Sequence, residues 1–290
     1  MGKRVLLNIW LAVALLALVW VVWQEPGHAP QSPPVKLTSL SPSAIDKLVI
    51  INEKGAITLT KQDRAWRLTQ PYDIAANGVR VNDVLDVVEA ESSSQFPATG
   101  RDLSEYGLAK PAVRLRLNDT EIQFGGLAPV GQQRYVKLGD TIHLIADSYM
   151  FELTGDAAAW VSRNLVPPGK QITALKLPDV KVTRNDKGEW EVAPAAGAIS
   201  ADAVKTLMNE WGDAQALRVA PYEKHADQGE VVLDIAGATQ ALTYHIIERK
   251  PELILARPEI GLQFYVASEQ ADRLLSFKAP QPAANTNENK

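Results

Sequence analysis

The chain has 290 residues, with 30 Lys and Arg against 34 Asp and Glu, a formal net charge of −4 and no cysteine. That balance offers no basic patch for nucleic acid and no polybasic belt for anionic lipid. The missing cysteines exclude disulfides, thiolate metal sites and cysteine nucleophiles, so core packing alone must hold the fold.

Residues 1–4 carry Lys3 and Arg4 and read as a cytoplasmic tip; residues 5–23 are apolar apart from Asn8. At ~1.5 Å per residue such a run nearly crosses a ~30 Å hydrocarbon core, and Trp20 and Trp23 suit the headgroup boundary. The run predicts one transmembrane helix over 5–23, a signal-anchor in a bacterial inner membrane. The positive-inside rule then puts the N-terminus in the cytoplasm and the bulk of the chain in the periplasm. A cleaved signal peptide is the competing reading. The run exceeds the usual apolar length of about 7 to 15 residues, and Gly27-His28-Ala29 is followed by Pro30, a poor cleavage context.

Residues 24–36 form a proline-rich linker, and 279–290 have the polar composition of a disordered tail. Between them the chain reads as one unit written twice, over 37–163 and 171–278, with Asn164-Leu-Val-Pro-Pro-Gly-Lys170 as the boundary. Each unit opens with a short strand, Ile45–Ile50 or Ile172–Leu177. A hairpin follows, with a Trp after the turn (Trp66, Trp190) and a proline beyond it (Pro71, Pro194). Asn77 and Ser200 then cap helices with apolar stripes at Val81, Val84, Leu85 and Val88, and at Val204, Leu207, Met208 and Trp211. Paired strands come next, and a short helix capped by Asp147 or Ser268 closes each unit. The pattern predicts an α+β class: two tandem copies of an antiparallel sheet covered by a helix.

Catalytic signatures are sparse. His28, His143, His225 and His245 show no metal-ligand spacing, Phe124-Gly-Gly-Leu-Ala-Pro-Val-Gly131 lacks the lysine and helix of a phosphate loop, and no Gly-x-Ser-x-Gly occurs. Phe124–Gly131 reads as a β-turn or a mobile loop. Asp83/Asp86 and Glu89/Glu91 read as a solvated helix face rather than an acid-base pair. Trp66 and Trp190 read as core, and Trp160 and Trp211 as core or contacts between the repeats. No cofactor, metal or catalytic residue is expected. One local motif stands apart, Leu103-Ser-Glu-Tyr106-Gly107-Leu108-Ala-Lys-Pro111 ahead of the strand Val113–Leu117. It reads as a shaped connection that launches the strand, or as a knuckle where a partner docks on Tyr106, with Gly107, Leu108 and Pro111 beside it.

Trp66-Arg-Leu-Thr-Gln-Pro71, Tyr106-Gly107-Leu108 with Pro111, Phe124-Gly125 and Arg134-Tyr135-Val136 occur in that order. Together they resemble the domain-of-unknown-function family 4340 (DUF4340), most closely over Ile45–Leu153. The resemblance implies a bacterial, membrane-anchored protein facing outward, often encoded beside ABC-type transport components, with no established catalytic residue. Two functional expectations follow. The first is a non-enzymatic accessory or interaction protein whose partners are other membrane proteins, such as ABC-type transporter subunits. The alternative is a periplasmic module binding glycan or lipid in the cleft between the copies.

Overall fold

Val113-Arg-Leu-Arg-Leu117 shows how the sequence builds its sheets: the three apolar side chains are buried and the two arginines between them are exposed. Such period-two alternation recurs along the chain and makes strands the dominant element. The computed structural model describes residues 35–194 and 199–277, together with Gly2, Val5, residues 10–17 and Trp20.

In chain order come β1 (Val35–Lys36), β2 (Lys47–Asn52), β3 (Gly55–Gln62), β4 (Ala65–Gln70) and β5 (Ile74–Ala75). Helix α1 (Gly78–Leu85) follows, then β6 (Glu91–Ser92), β7 (Ser94–Pro97), β8 (Val113–Leu117), β9 (Thr120–Leu127), β10 (Gln133–Leu138), β11 (Thr141–Ala146) and α2 (Met150–Leu153). The second half holds β12 (Ile172–Lys176), β13 (Lys181–Arg184), β14 (Trp190–Ala193) and α3 (Ala201–Asp213). It ends with β15 (Arg218–Pro221), β16 (Glu230–Ile235), β17 (Leu242–Glu248), β18 (Leu253–Arg257), β19 (Leu262–Val266) and α4 (Ser268–Leu275).

These strands form three antiparallel sheets: the β1-β6 ribbon, a nine-stranded sheet ordered β5-β4-β3-β2-β8-β9-β10-β11-β7, and an eight-stranded sheet ordered β14-β13-β12-β16-β17-β18-β19-β15. Read from β4 and from β14, the two large sheets have the same order. In each, one strand between the longer helix and the later hairpins, β7 or β15, crosses to the far edge.

Two expectations are corrected. The α+β class gives way to a mostly β architecture, because the helices are too short to form a layer; the longest described, α3, has 13 residues. The transmembrane helix over 5–23, with the membrane and signal-anchor assignment it carried, is corrected as well. Among the described residues no helix is long and apolar enough to cross a membrane. The helical stretch at residues 10–17 is short and exposed, where a span needs about 20 apolar residues. The other residues of 5–23, the linker residues 24–34 and the tail 279–290 lie outside the described residues. Val35 and Lys36, placed in the linker by composition, pair with Ser92 and Glu91 as β1.

The helix starts hold. Asn77 accepts the Arg80 amide at 3.3 Å and Ser200 accepts the Ala203 amide at 3.2 Å. Val81, Val84 and Leu85 are buried on α1, while Val88 is buried in a 3-10 turn just beyond it. On α3, Val204, Leu207, Met208 and Trp211 are buried. The closing helices differ from expectation: neither Asp147 nor Ser268 caps, since each is already the first residue of its helical segment, after Ala146 and Ala267. Asp147 instead pairs with Arg134. One continuous apolar core runs through both large sheets and includes Trp160, Val161, Leu165, Val166, Ala214 and Ala216 at their junction.

Candidate functional site

The junction is built from backbone. Residues 160–165 run between the two units and bond to both. Asn77 N donates to Trp160 O at 2.7 Å and Ser162 N to Ala75 O at 2.9 Å. On the other side Leu165 N donates to Ala214 O at 3.0 Å and Ala216 N to Arg163 O at 2.7 Å. An antiparallel bridge joins Asn164 to Gln215. Tyr244, fully buried on β17, donates its hydroxyl to Leu165 O at 2.6 Å, and burial holds its phenol well above the ordinary range.

This ladder supports a cleft of about 790 Å³ whose walls come from the β3-β4 hairpin, the start of α1, the connecting segment and Gln215. Lys61, Arg64 and Arg163 line it, and Trp66, half-buried, lies directly across the strand pair from Lys61. The turn that carries Arg64 is tight: Asp63 and Arg64 both have positive φ, 47° and 71°. Asp86 is the sole carboxylate of the lining. A smaller hollow of about 310 Å³ adjoins it through Asn77, Val79 and Arg163. There Arg80 bridges to Glu152 at 3.0 Å and lies 4.9 Å from the centre of the Trp160 ring.

The sequence motif at Tyr106 lies elsewhere, on the outer face of the first large sheet. Asp102 caps the 3-10 turn Leu103–Tyr106, and Gly107 ends it at φ 65°. The Tyr106 ring is half-buried, 4.9 Å from Tyr135 in an edge contact and 5.6 Å from Phe96. Leu108, Ala98 and Ile142 form a second, small core beneath it. Phe124–Leu127 is strand rather than turn, with a register shift against β10 at Gly125–Gly126. Gly107 packs on that irregularity, and Arg134 donates to Gly125 O. The structure thus brings Tyr106, Gly107 and Leu108 together with Gly125, Arg134 and Tyr135, three motifs separated in sequence, while Pro111 is half-buried where the chain enters β8. The tyrosine ring packs within the chain, against Phe96 and Tyr135.

The histidines find partners that spacing did not reveal. His245 Nδ1 lies 2.6 Å from Asp227, 18 positions away in sequence, and the contact holds the Asp227 carboxyl below its usual range. His225 lies 3.6 Å from Glu223. His143 is buried, with Nδ1 3.2 Å from the Ser92 hydroxyl, and His28 falls outside the described residues. Among the described residues no three His, Asp or Glu side chains converge as a metal would require. Trp160 and Trp211 are fully buried, whereas Trp66 and Trp190 are half-buried.

No curated protein and no solved structure matches the chain. A family described as Domain of unknown function (DUF4340) matches residues 66–234, more than half of the chain. That span begins at Trp66 in β4 and covers the Tyr106–Gly125–Arg134 assembly and the backbone ladder at the junction. The chain belongs to the DUF4340 family.

Proposed function

We propose that this chain is a non-enzymatic binding module whose ligand seats in the junction cleft. The observation that supports this reading is the way the cleft is made. Both units and the segment between them contribute walls, and its volume of about 790 Å³ falls within the ~300–1,000 Å³ usual for small-molecule sites. The lining combines cations, side-chain amides and one indole, groups that recognise a polar solute. A thermal-shift screen of the full-length chain against saccharides, lipid headgroups and small anions tests it, because a ligand selective for the folded state raises Tm. Gly78→Trp removes the shift, since Gly78 lines the cleft and no atom lies within 4 Å of where its β-carbon would stand. A screen in which no compound raises Tm counts against the reading.

A second reading keeps the role of an accessory protein, with subunits of an ABC-type transport system as partners. It is favoured by Leu127, 57% exposed at the end of β9, and Val130, 82% exposed in the loop that follows. Crosslinking in cells followed by mass spectrometry recovers transporter subunits in that case, and Val130→Asp loses them without disturbing the interior. Recovery of the chain alone, or equal recovery by the parent and Val130→Asp, counts against it.

A further inference from the structure

We infer that the junction cleft takes an acidic saccharide, a sugar chain that carries carboxylate groups. The inference rests on the binding-module reading and adds the ligand's chemical class. Lys61, Arg64 and Arg163 face one concavity, and among the described residues none of them meets a carboxylate within ion-pair distance. One carboxylate in the lining, Asp86, leaves the cations in excess. Like charges gathered in one cleft repel each other and favour a counter-charge from outside the chain.

The second unit shows what the same position looks like when its cation is occupied. Arg184 faces Trp190 across β13 and β14, as Lys61 faces Trp66 across β3 and β4. Arg184 donates to Gly188 O at 3.1 Å and lies 6.0 Å from the centre of the Trp190 ring. Lys61 has no such hydrogen bond among the described residues, and its side of the hairpin opens into the cleft.

The remaining groups argue for a sugar rather than a bare anion. Asn82, Asn164 and Gln215 line the cleft with side-chain amides that make no hydrogen bond among the described residues. Each amide offers two donors and an acceptor, matching vicinal hydroxyls. The Trp66 indole supplies an apolar face beside Lys61. Inorganic phosphate would leave the amides and the indole idle; a neutral sugar would leave the three cations unmatched.

Calorimetric titration of the full-length chain with trigalacturonate and with maltotriose tests the inference. Trigalacturonate binds at least tenfold more tightly, and the preference shrinks in about 0.5 M NaCl as the charges are screened. Lys61→Gln and Arg163→Gln each weaken it roughly tenfold, the size of one charge-assisted hydrogen bond. Arg114→Gln, on the exposed face of β8 and lining a different hollow, leaves affinity unchanged. Equal binding of both sugars overturns the acidic class while the cleft reading stands. An equal loss with Arg114→Gln, or binding of phosphate alone, overturns the inference as general charge attraction. Binding of neither sugar overturns it too. In that event the thermal-shift screen decides the wider reading separately, by whether any other compound raises Tm.

Discussion

Gly125 lies directly against the backbone of Tyr106: a β-carbon on Gly125 would stand 2.3 Å from the Tyr106 carbonyl oxygen and 2.8 Å from Leu108 Cγ. The fit is reciprocal, since a β-carbon on Gly107 would stand 2.6 Å from Gly126 N. Two glycine-bearing segments, separated in sequence, therefore interlock by backbone contact. Arg134 fixes the arrangement from below by donating to Gly125 O while pairing with Asp147. Gly125→Ala forces the segments apart and costs about 1–3 kcal/mol, the usual penalty for overpacking. Gly107→Ala costs as much again or more, because a side chain must also adopt φ 65°. Urea titration checks both, and an unchanged midpoint at unchanged m would show that the contact is loose.

What the sequence made legible was local. The stripe Val204, Leu207, Met208 and Trp211 is buried, as its spacing requires, and Asn77 and Ser200 cap where a cap was needed. Those features depend on neighbours within a few residues. The class went astray because two helical stripes were weighed as a layer, when α1 spans 8 residues and the sheets carry nine and eight strands. The run over 5–23 was read from its hydropathy and its flanking Lys3, Arg4, Trp20 and Trp23, none of which reports how long a helix forms. Phe124-Gly-Gly-Leu127 looked like a turn because glycines usually mark one; here they permit the close approach of Tyr106 and Gly107 within a strand. The cleft and the His245–Asp227 pair were invisible for a different reason. Both arise where separate segments of the chain come together, and no short motif records their meeting.

Tyr244 ties the second sheet to the connecting segment. Its ring is fully buried, edge-on to Phe264 at 5.6 Å, and its hydroxyl donates to Leu165 O at 2.6 Å. Tyr244→Phe keeps the ring and leaves that carbonyl without its donor, so stability falls by about 1–3 kcal/mol. Chemical denaturation measures the loss. A change near zero would show that the bond holds nothing together.

His143 predicts a pH dependence. Burial disfavours its charged form and lowers its pKa below the ordinary histidine value. As pH falls below about 6.5, the unfolded chain takes up a proton that the folded chain resists. The unfolded state then binds more protons, so stability present above that pH is lost progressively towards the lower folded value. Thermal melts from about pH 7.5 to 5 therefore show a falling Tm, and His143→Gln, which keeps a polar group facing Ser92, flattens that slope. An equally steep slope in the variant would assign the titration to another group.

Gly78 links stability to the proposed site. It opens α1 just after the Asn77 cap, its β-carbon position is open space, and it lines the junction cleft. Glycine gives the unfolded chain conformational freedom that alanine does not, and here the native backbone tolerates a β-carbon. Gly78→Ala therefore stabilises by about 0.4–1 kcal/mol. Gly78→Trp points a large side chain into the same space without displacing the core, so it unfolds cooperatively near the parent Tm yet fails to bind the cleft's ligand. Calorimetry of the two variants reads both effects. Retained binding in Gly78→Trp would move the site away from the junction, and a Tm lower in Gly78→Ala than in the parent would mean that the start of α1 needs glycine for its backbone.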